Sequence, residues 1–182
     1  MKRSLYNEVK EKALVLYEKA HIVLTDSEKD NLEVVEFALG DVYNTGIEII
    51  VYVNTDLVCA KEMCLLPYQT CAEHIHKPMM EVGYPGKEET FRCRYGTVYL
   101  YIEDGTVTKD PIAKPPKGDE LYYTARHEIV LEPGDQFTLV PDTLHWFQAG
   151  PEGAVISEFS TKSFDEYDIF TDPRINRMAG VE

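Results

Sequence analysis

The residues of this sequence best suited to chemistry are two histidines separated by one residue. His74 and His76 lie in the segment Cys-Ala-Glu-His-Ile-His, which spans residues 71–76. In a β-strand, side chains two positions apart point to the same face, so these two imidazoles would lie side by side. Imidazole nitrogens bind Mn, Fe, Co, Ni, Cu and Zn, and the pair therefore provides half of a metal site. Two surface histidines also reach this spacing by chance, so a site needs further ligands.

A second distinctive segment lies downstream, at residues 131–147. It places a Pro-Gly-Asp turn before a short strand and a Pro-containing turn before His145. This segment resembles the second sequence motif of the cupin superfamily. The His-x-His segment, followed by a glutamate, six residues and a glycine, resembles the first. One position departs from the family pattern, because Asp142 stands where the turn usually has glycine. The resemblance implies an antiparallel barrel with one divalent metal ion, bound by His74, His76 and His145 together with a glutamate.

Two glutamates compete for the fourth ligand position. Glu81 follows the histidine pair closely, but it stands just before a turn rich in glycine and proline, where an exposed loop is expected. Glu89 opens the strand-like run ETFRCRYGTVYLYI and precedes a glycine by six intervening residues, as in the cupin motif. Glu88 would face the other side of that strand. We therefore predict Glu89 as the fourth ligand, and we expect ordinary surface or hydrogen-bonding roles for His21 and His127.

The elements that must position these residues follow from the hydrophobic pattern. Residues 4–20 carry apolar side chains at helical spacing among Glu and Lys, which predicts an amphipathic helix. The segment TDSEKDNLEVVEFAL then offers caps for a second short helix. From about residue 40, seven short runs of β-branched and aromatic residues alternate with turn residues, which indicates an antiparallel sandwich or barrel. The sequence thus predicts an all-β cupin barrel (jelly roll) over residues 39–182, with the C-terminal segment packed on it and a helical extension over residues 1–38.

Composition narrows the partners and the location. A chain of 182 residues fits a single domain. Its net charge of −14 argues against binding to nucleic acid or anionic membranes. The longest apolar runs fall far short of the ~20 residues of a membrane helix, and the start lacks the apolar centre of a signal peptide. The four cysteines form no C-x-x-C pair and are predicted to be free and buried, so we expect a cytoplasmic protein.

Beyond the cupin motifs, the chain resembles the D-lyxose isomerase family over nearly its whole length. The segments that carry this resemblance are AKE at 60–62, PGKEETFRCR at 85–94, LHWFQAG at 144–150, SEFS at 157–160 and DEYD at 165–168. The resemblance implies a metal-dependent aldose–ketose isomerase that interconverts D-lyxose with D-xylulose, and commonly D-mannose with D-fructose. It also implies one Mn²⁺ ion per chain, while the ligand types alone leave Zn²⁺, Co²⁺, Ni²⁺ and Fe²⁺ open.

Catalytic and substrate-binding candidates follow from that reaction. Three imidazoles and one carboxylate leave at least two positions free on a six-coordinate ion, where an open-chain sugar could bind while a cis-enediol forms. Glu158 is a candidate proton shuttle and Lys61 a candidate to hold a sugar oxygen, if both point into the barrel. Strand alternation alone equally allows both to be solvated charges. Asp168 is a candidate to bind sugar hydroxyls, and Phe91 and Trp146 are candidates for an aromatic wall.

Three alternatives use the same ligands. A phosphosugar isomerase would need a cationic pocket, but Arg92 and Arg94 are predicted on the strand face opposite Glu89. An Fe(II)-dependent cupin dioxygenase would bind O₂ at the free positions, and a non-catalytic cupin would bind a sugar without converting it. Whatever its function, we expect the chain to form a homodimer, because such barrels often pair through edge strands.

Overall fold

The computed structural model describes residues 1–181, and most of the regular structure within them is β-sheet. The helices are α1 (Arg3–Lys19) and α2 (Asp26–Asp30). The strands are β1 (Glu33–Val35), β2 (Ile47–Asn54), β3 (Cys59–Leu65), β4 (Thr70–Ile75), β5 (Glu89–Ile102), β6 (His127–Leu131), β7 (Gln136–Leu139), β8 (His145–Ser160) and β9 (Ile169–Phe170). Short 3₁₀ turns cover Met80–Val82, Glu120–Tyr122 and Asp165–Tyr167. The predicted all-β class is confirmed.

Helix α1 packs one face on the sheet. The buried residues of this helix are Val9, Ala13, Leu16 and Tyr17. Their spacing of three and four positions is the stripe expected of an amphipathic helix. The Tyr17 hydroxyl also lies 3.0 Å from the backbone oxygen of Glu48 and 2.9 Å from that of Glu62, so the helix is anchored on β2 and β3.

The second helix is shorter than the sequence indicates. α2 begins with a capping box between Thr25 and Glu28 and ends at Asp30. Residues 33–35 then form β1, which pairs with β2, and Val34 and Val35 are buried in that pairing. β-Branched residues favour such a half-buried strand over the end of a helix. Part of the predicted helical extension therefore belongs to the sheet.

The strands form one antiparallel sheet that curls into a barrel. The strand order is β1-β2-β3-β8-β4-β9, and β5 pairs with β6, β7 and β8. The two longest strands, β5 and β8, pair from Glu89 opposite Ser160 to Ile102 opposite His145. A straight ladder of this length would hold its two ends roughly 40 Å apart, since a strand rises about 3.3 Å per residue.

A pair of glycines bends this ladder in the middle. Its register shifts on both sides of Gly96, and Gly96 and Gly153 have φ values of 69° and 80°. A Cβ atom on Gly96 would lie 1.9 Å from the carbonyl oxygen of Gly153, so only glycine fits there. The bend returns both ends of the ladder to the same end of the barrel, where Oε1 of Glu89 lies 3.3 Å from Nε2 of His145.

Three apolar clusters hold the barrel together. The first fills the barrel interior and includes Phe91 and Phe147, and the second lies between α1 and the sheet. The third lies around Trp146 and Tyr101. The four cysteines are buried and unpaired, as predicted. Neither α1 nor α2, the helices in the described part of the chain, has the length and apolarity needed to cross a membrane.

Candidate metal centre and catalytic pocket

Three histidines from two neighbouring strands meet at one end of the barrel. His74 in β4 pairs in register with His145, the first residue of β8, and His76 follows directly after β4. The potential ligand atoms of these three buried side chains all lie within 4.8 Å of one another. The strand alternation inferred from His-x-His therefore brings both imidazoles to the same side, and strand pairing supplies the third.

Hydrogen bonds turn each imidazole so that Nε2 faces the centre of the group. The Nδ1 atoms of His74 and His145 lie 2.8 Å from the Ala72 carbonyl and 2.9 Å from the Thr143 carbonyl, to which each can donate. Such contacts fix the tautomer that leaves Nε2 free as a ligand. The Nε2 atoms of His76 and His145 are buried and have no hydrogen-bond partner among the described residues. Buried polar atoms are normally paired, so these orphaned nitrogens fit a bound metal ion.

The fourth predicted ligand lies beside the same nitrogens. Oε1 of Glu89 is 3.3 Å from Nε2 of His76 and 3.3 Å from Nε2 of His145. Glu89 is buried, whereas Glu81 is exposed in the turn Met80–Val82 and Glu88 is exposed on the other side of β5. The structure thus brings Glu89, and neither competing glutamate, to the three histidines.

The pKa values of the titratable groups in the site are shifted in different directions. Burial, reinforced by the neighbouring imidazoles, holds the pKa of His74 well below its usual value, and burial also lowers the pKa of His145. Burial acts in the same direction on His76, but the Glu89 charge and a hydrogen bond to Asp168 outweigh it and raise the pKa of His76 to about 9. Burial opposes ionisation of Glu89, yet the Lys87 and His76 cations hold its pKa well below the usual range.

Asp168 lines the pocket and contacts His76. Its Oδ1 lies 2.5 Å from Nδ1 of His76, which completes a carboxylate–histidine pair behind the ligand nitrogen. Carboxylates in this position orient the imidazole and raise its basicity. The binding of sugar hydroxyls by Asp168 stays a prediction, and its Oδ1 is engaged by His76.

A buried lysine links the candidate metal site to the predicted proton shuttle. Nζ of Lys87 lies 2.7 Å from Oε2 of Glu89 and 2.7 Å from Oε1 of Glu158, and all three side chains are buried. Ser160 donates its hydroxyl to the same Glu158 oxygen over 2.9 Å. Burial works against the Lys87 charge, but the two carboxylates outweigh it and raise the pKa of Lys87 well above its usual value.

Sequence reasoning missed Lys87 as a site residue. It stands two positions before Glu89, and side chains two apart share a face of an extended chain, so this spacing was a usable signal. Arg177 was also missed, because it reaches the pocket from the C-terminal tail, where no strand pattern predicts a direction. Its guanidinium lies 3.0 Å from a Glu33 oxygen and 3.6 Å from an Asp165 oxygen.

Lys61 points into the pocket, as does its cross-strand neighbour Glu158. Nζ of Lys61 lies 2.9 Å from both carboxylate oxygens of Asp165 and 3.0 Å from the Ser163 hydroxyl. Burial lowers the pKa of Lys61, and the Glu158 and Asp165 charges more than reverse this effect. Neither Lys61 nor Glu158 is a solvated surface charge, which was the alternative that strand alternation left open.

The pocket has an empty volume of about 420 Å³, which includes the open space at its mouth. Phe91 and Phe147 line its apolar part, with ring centroids 5.2 Å apart. Arg92 and Arg94 lie outside it, donating to Gln136 and Ser157. The cationic phosphate pocket that those two arginines were considered for is therefore not formed by them.

Trp146, predicted as part of an aromatic wall for the substrate, lies outside the residues that line the pocket. Trp146 stacks on Tyr101 with a centroid distance of 3.9 Å and donates its indole N–H to the Ala125 carbonyl over 3.1 Å, in the third apolar cluster. The reason is strand alternation, because His145 faces the barrel interior and the next residue must face outward.

The departure from the cupin pattern at Asp142 keeps the turn geometry. Asp142 has a φ of 65°, the left-handed conformation that glycine adopts freely. Aspartate tolerates this conformation better than most residues. The turn therefore still delivers Thr143 and His145 to the site, where the Thr143 carbonyl accepts the Nδ1 hydrogen bond.

Comparison with solved structures supports the fold. The L-ribose isomerase of Acinetobacter sp. DL28, solved in complex with L-ribose, superposes with a TM-score of 0.77 over 100% of this chain and 98% of its own, at 17% identity. The L-ribose isomerase of Cellulomonas parahominis, solved with L-ribose, gives a TM-score of 0.78 over the same shares of both chains, also at 17% identity. The predicted cupin barrel is thereby confirmed as a fold.

Sequence comparison identifies the family. A family model described as D-lyxose isomerase matches residues 24–182. The D-lyxose/D-mannose isomerase of Thermosediminibacter oceani is 58% identical over 100% of this chain and 99% of its own. The D-lyxose ketol-isomerase of Thermofilum sp. is 53% identical over 98% of each chain, and that of Cohnella laeviribosi 50% identical over 100% and 98%. The chain therefore belongs to the D-lyxose isomerase family, and it is an enzyme of the ketol-isomerase type.

Proposed function

We propose that this enzyme is a metal-dependent aldose–ketose isomerase that converts D-lyxose to D-xylulose, and D-mannose to D-fructose, with Mn²⁺ as its ion. The observation that carries the proposal is the meeting of three imidazoles and Glu89 with a buried Lys87–Glu158 pair in one pocket. The names of its relatives support the two sugars. Imidazole and carboxylate ligands suit Mn²⁺, and they also suit Zn²⁺, Co²⁺, Ni²⁺ and Fe²⁺.

His74, His76, Glu89 and His145 would hold the ion. When bound, it supplies Lewis acidity, which acidifies the C–H beside a sugar carbonyl and stabilises charge that develops on the sugar oxygens. Asp168 orients His76 for this task through the hydrogen bond to Nδ1.

Glu158 transfers the proton. Its carboxylate accepts the proton from C2 of the open-chain aldose, the C–H electron pair forms the C1=C2 bond of a cis-enediol, and the C1=O π pair moves onto the C1 oxygen. That oxygen takes up the proton of the C2 hydroxyl, and the ketose forms as C2=O is made and the carboxyl returns its proton to C1. Lys87 holds the shuttle in place over 2.7 Å, and its charge stabilises the enediolate character of the transition state. Lys61 contributes a second cation that orients sugar hydroxyls from the pocket wall.

The test is isomerisation in D₂O by protein stripped with EDTA and reloaded with Mn²⁺. We expect D-xylulose from D-lyxose, with deuterium at C1 because the Glu158 proton exchanges with solvent. A ketose without deuterium at C1 would indicate a hydride shift instead of the cis-enediol route. Absence of ketose from D-lyxose and D-mannose with Mn²⁺ and with the other four ions contradicts the proposal.

Two variants separate catalysis from metal binding. Glu158→Gln removes the shuttle, so kcat should fall by about 10²–10⁴-fold while the metal content of the protein is unchanged. Glu166→Gln is the matched control, because Glu166 is exposed in the turn Asp165–Tyr167, and it should retain wild-type kcat. Full activity of the wild type under anaerobic conditions would also distinguish the isomerase from a dioxygenase.

The proposal includes a cytoplasmic homodimer that binds sugar. Strand β2 pairs with β1 only as far as Ile49, so the edge from Ile50 to Asn54 has no strand partner on that side among residues 1–181. Val51 and Val53 are exposed there, and exposed apolar edges favour pairing with another chain. Light scattering coupled to gel filtration measures the mass, and a monomer of 20.8 kDa would contradict the dimer.

The four unpaired cysteines support the proposed cytoplasmic location, because free cysteines persist in a reducing compartment.

A further inference from the structure

The turn after β1 has an unusual backbone for its sequence. Phe37 and Ala38 have φ values of 56° and 62°, and the N–H of Leu39 donates to the carbonyl of Glu36 over 3.0 Å. Two-residue turns with both central residues at positive φ normally carry Asn and Gly, because a Cβ is strained in that conformation. Strain of this kind persists only where the surrounding structure holds it, and it clusters at functional sites.

The strained turn delivers the Phe37 ring to the catalytic pocket. Phe37 is 2% exposed and lines the pocket that contains His74 and Glu158. Its ring meets that of Phe170 edge-on at 5.4 Å, and the Phe170 ring lies 5.5 Å from His74. The Phe37 carbonyl also accepts a hydrogen bond from the backbone N–H of Asn176 over 2.9 Å. The ring is therefore fixed between the barrel and the C-terminal tail.

The pocket lining divides into two chemical parts. The charged part contains the Lys87–Glu158 pair and the Lys61–Asp165 pair. The apolar part is formed by Phe37, Ile47, Ile49, Met63, Phe91, Phe147 and Phe170. None of those seven side chains carries a hydrogen-bond donor or acceptor of ordinary strength. A sugar hydroxyl turned toward them loses its hydrogen bonds to water without replacement.

We propose that Phe37 is a specificity-determining residue, whose ring closes the apolar part of the pocket against the end of the sugar chain remote from the reacting carbons. This inference rests on the proposed isomerase function. We call the apolar part of the pocket the wall. A pentose places no polar group against this wall, whereas a hexose must place one more CHOH group near it. The wall thereby favours five-carbon aldoses over six-carbon aldoses, by about tenfold in kcat/KM.

The test compares D-lyxose with D-mannose, which share their configuration at C2 to C4 and differ by one CHOH group. In the Mn²⁺-loaded enzyme, Phe37→Ala should shift the ratio of the two kcat/KM values about tenfold toward D-mannose. Phe37→Leu, which keeps more of the volume, should shift it less and guards against misfolding of the alanine variant. Ala38→Gly relaxes the neighbouring strained residue without changing the wall, so it should raise the melting temperature and leave the ratio at the wild-type value.

Binding of the two alditols made by reducing these sugars gives a readout without turnover. Isothermal titration calorimetry of the same variants should show the same shift in the ratio of the two Kd values. If the wild type isomerises neither sugar, the proposed function fails. The ratio of the two alditol Kd values then tests the role of Phe37 by itself. Unchanged ratios in Phe37→Ala and Phe37→Leu, or no alditol binding by the wild type, overturn the role of Phe37.

Discussion

We expect the binding of a metal ion at this site to displace a proton from His76. The pKa of His76 is raised to about 9 in the metal-free protein, because the Glu89 charge and the hydrogen bond to Asp168 outweigh its burial. His74 and His145 have lowered pKa values and are neutral at pH 7. An imidazole binds a metal only through an unprotonated nitrogen, so His76 alone among the three couples metal affinity to pH near neutrality.

The size of this coupling follows from the pKa. At pH 7 the site lies about two units below the pKa of His76, and each unit corresponds to about 1.4 kcal/mol, so deprotonation costs about 2.7 kcal/mol. The apparent Kd for Mn²⁺ should therefore fall about tenfold for each pH unit gained between pH 6 and pH 8. About one proton should be released per ion at pH 7.

Calorimetric titration of stripped protein with Mn²⁺ measures both quantities. Repeating the titration in two buffers with different ionisation enthalpies gives the number of protons released. His127→Gln is the control, because His127 lies half-exposed in a hydrogen bond with Asp104 away from the pocket, and it should leave the proton count unchanged. A Kd that does not vary with pH, or the release of no proton, would refute this account of His76.

Two further predictions concern stability. Burial raises the pKa of Glu48 to about 8. Its contribution to the free energy of unfolding is therefore fully present below pH 4.5 and is lost as the pH rises to 8. This loss amounts to up to about 5 kcal/mol. Glu48→Gln should flatten that part of the pH profile in urea titrations, and an unchanged profile would contradict the burial argument. Gly96→Ala should destabilise the protein by more than about 4 kcal/mol, because its Cβ meets Gly153. Gly105→Ala, with φ of 83° and open space around it, should lose only about 1–2 kcal/mol in the same titrations.

The parts of the site that could be predicted are those fixed by strand alternation. His74 and His76 share a face because they are two residues apart in one strand, whatever the rest of the fold does. The choice of Glu89 over Glu81 also relied on local information, since one opens a strand and the other precedes a turn. Alternation applied more strictly would have excluded Trp146, which follows the inward-facing His145.

The parts that could not be predicted depend on contacts between distant segments. Asp165 and Arg177 enter the pocket from the tail, which has no periodic pattern to give a side-chain direction. Phe37 lies in the segment predicted as the helical extension, but β1 and the strained turn carry it into the barrel. In both cases tertiary packing overrides the local conformational preference of the residues. The turn could not be predicted from its sequence, because Phe and Ala are not the residues that such a turn normally carries.

The charges of the pocket explain how so polar a site can be built into the barrel before any ion binds. The carboxylates that line it are Glu89, Glu158, Asp165 and Asp168, and the fixed cations are Lys61, Lys87 and Arg177. One negative charge is left over, and isolated buried charges are strongly destabilising. With its pKa raised to about 9, His76 carries the proton that balances the set at neutral pH. The proton thus places positive charge where an ion would bind, and we expect the ion to displace this same proton.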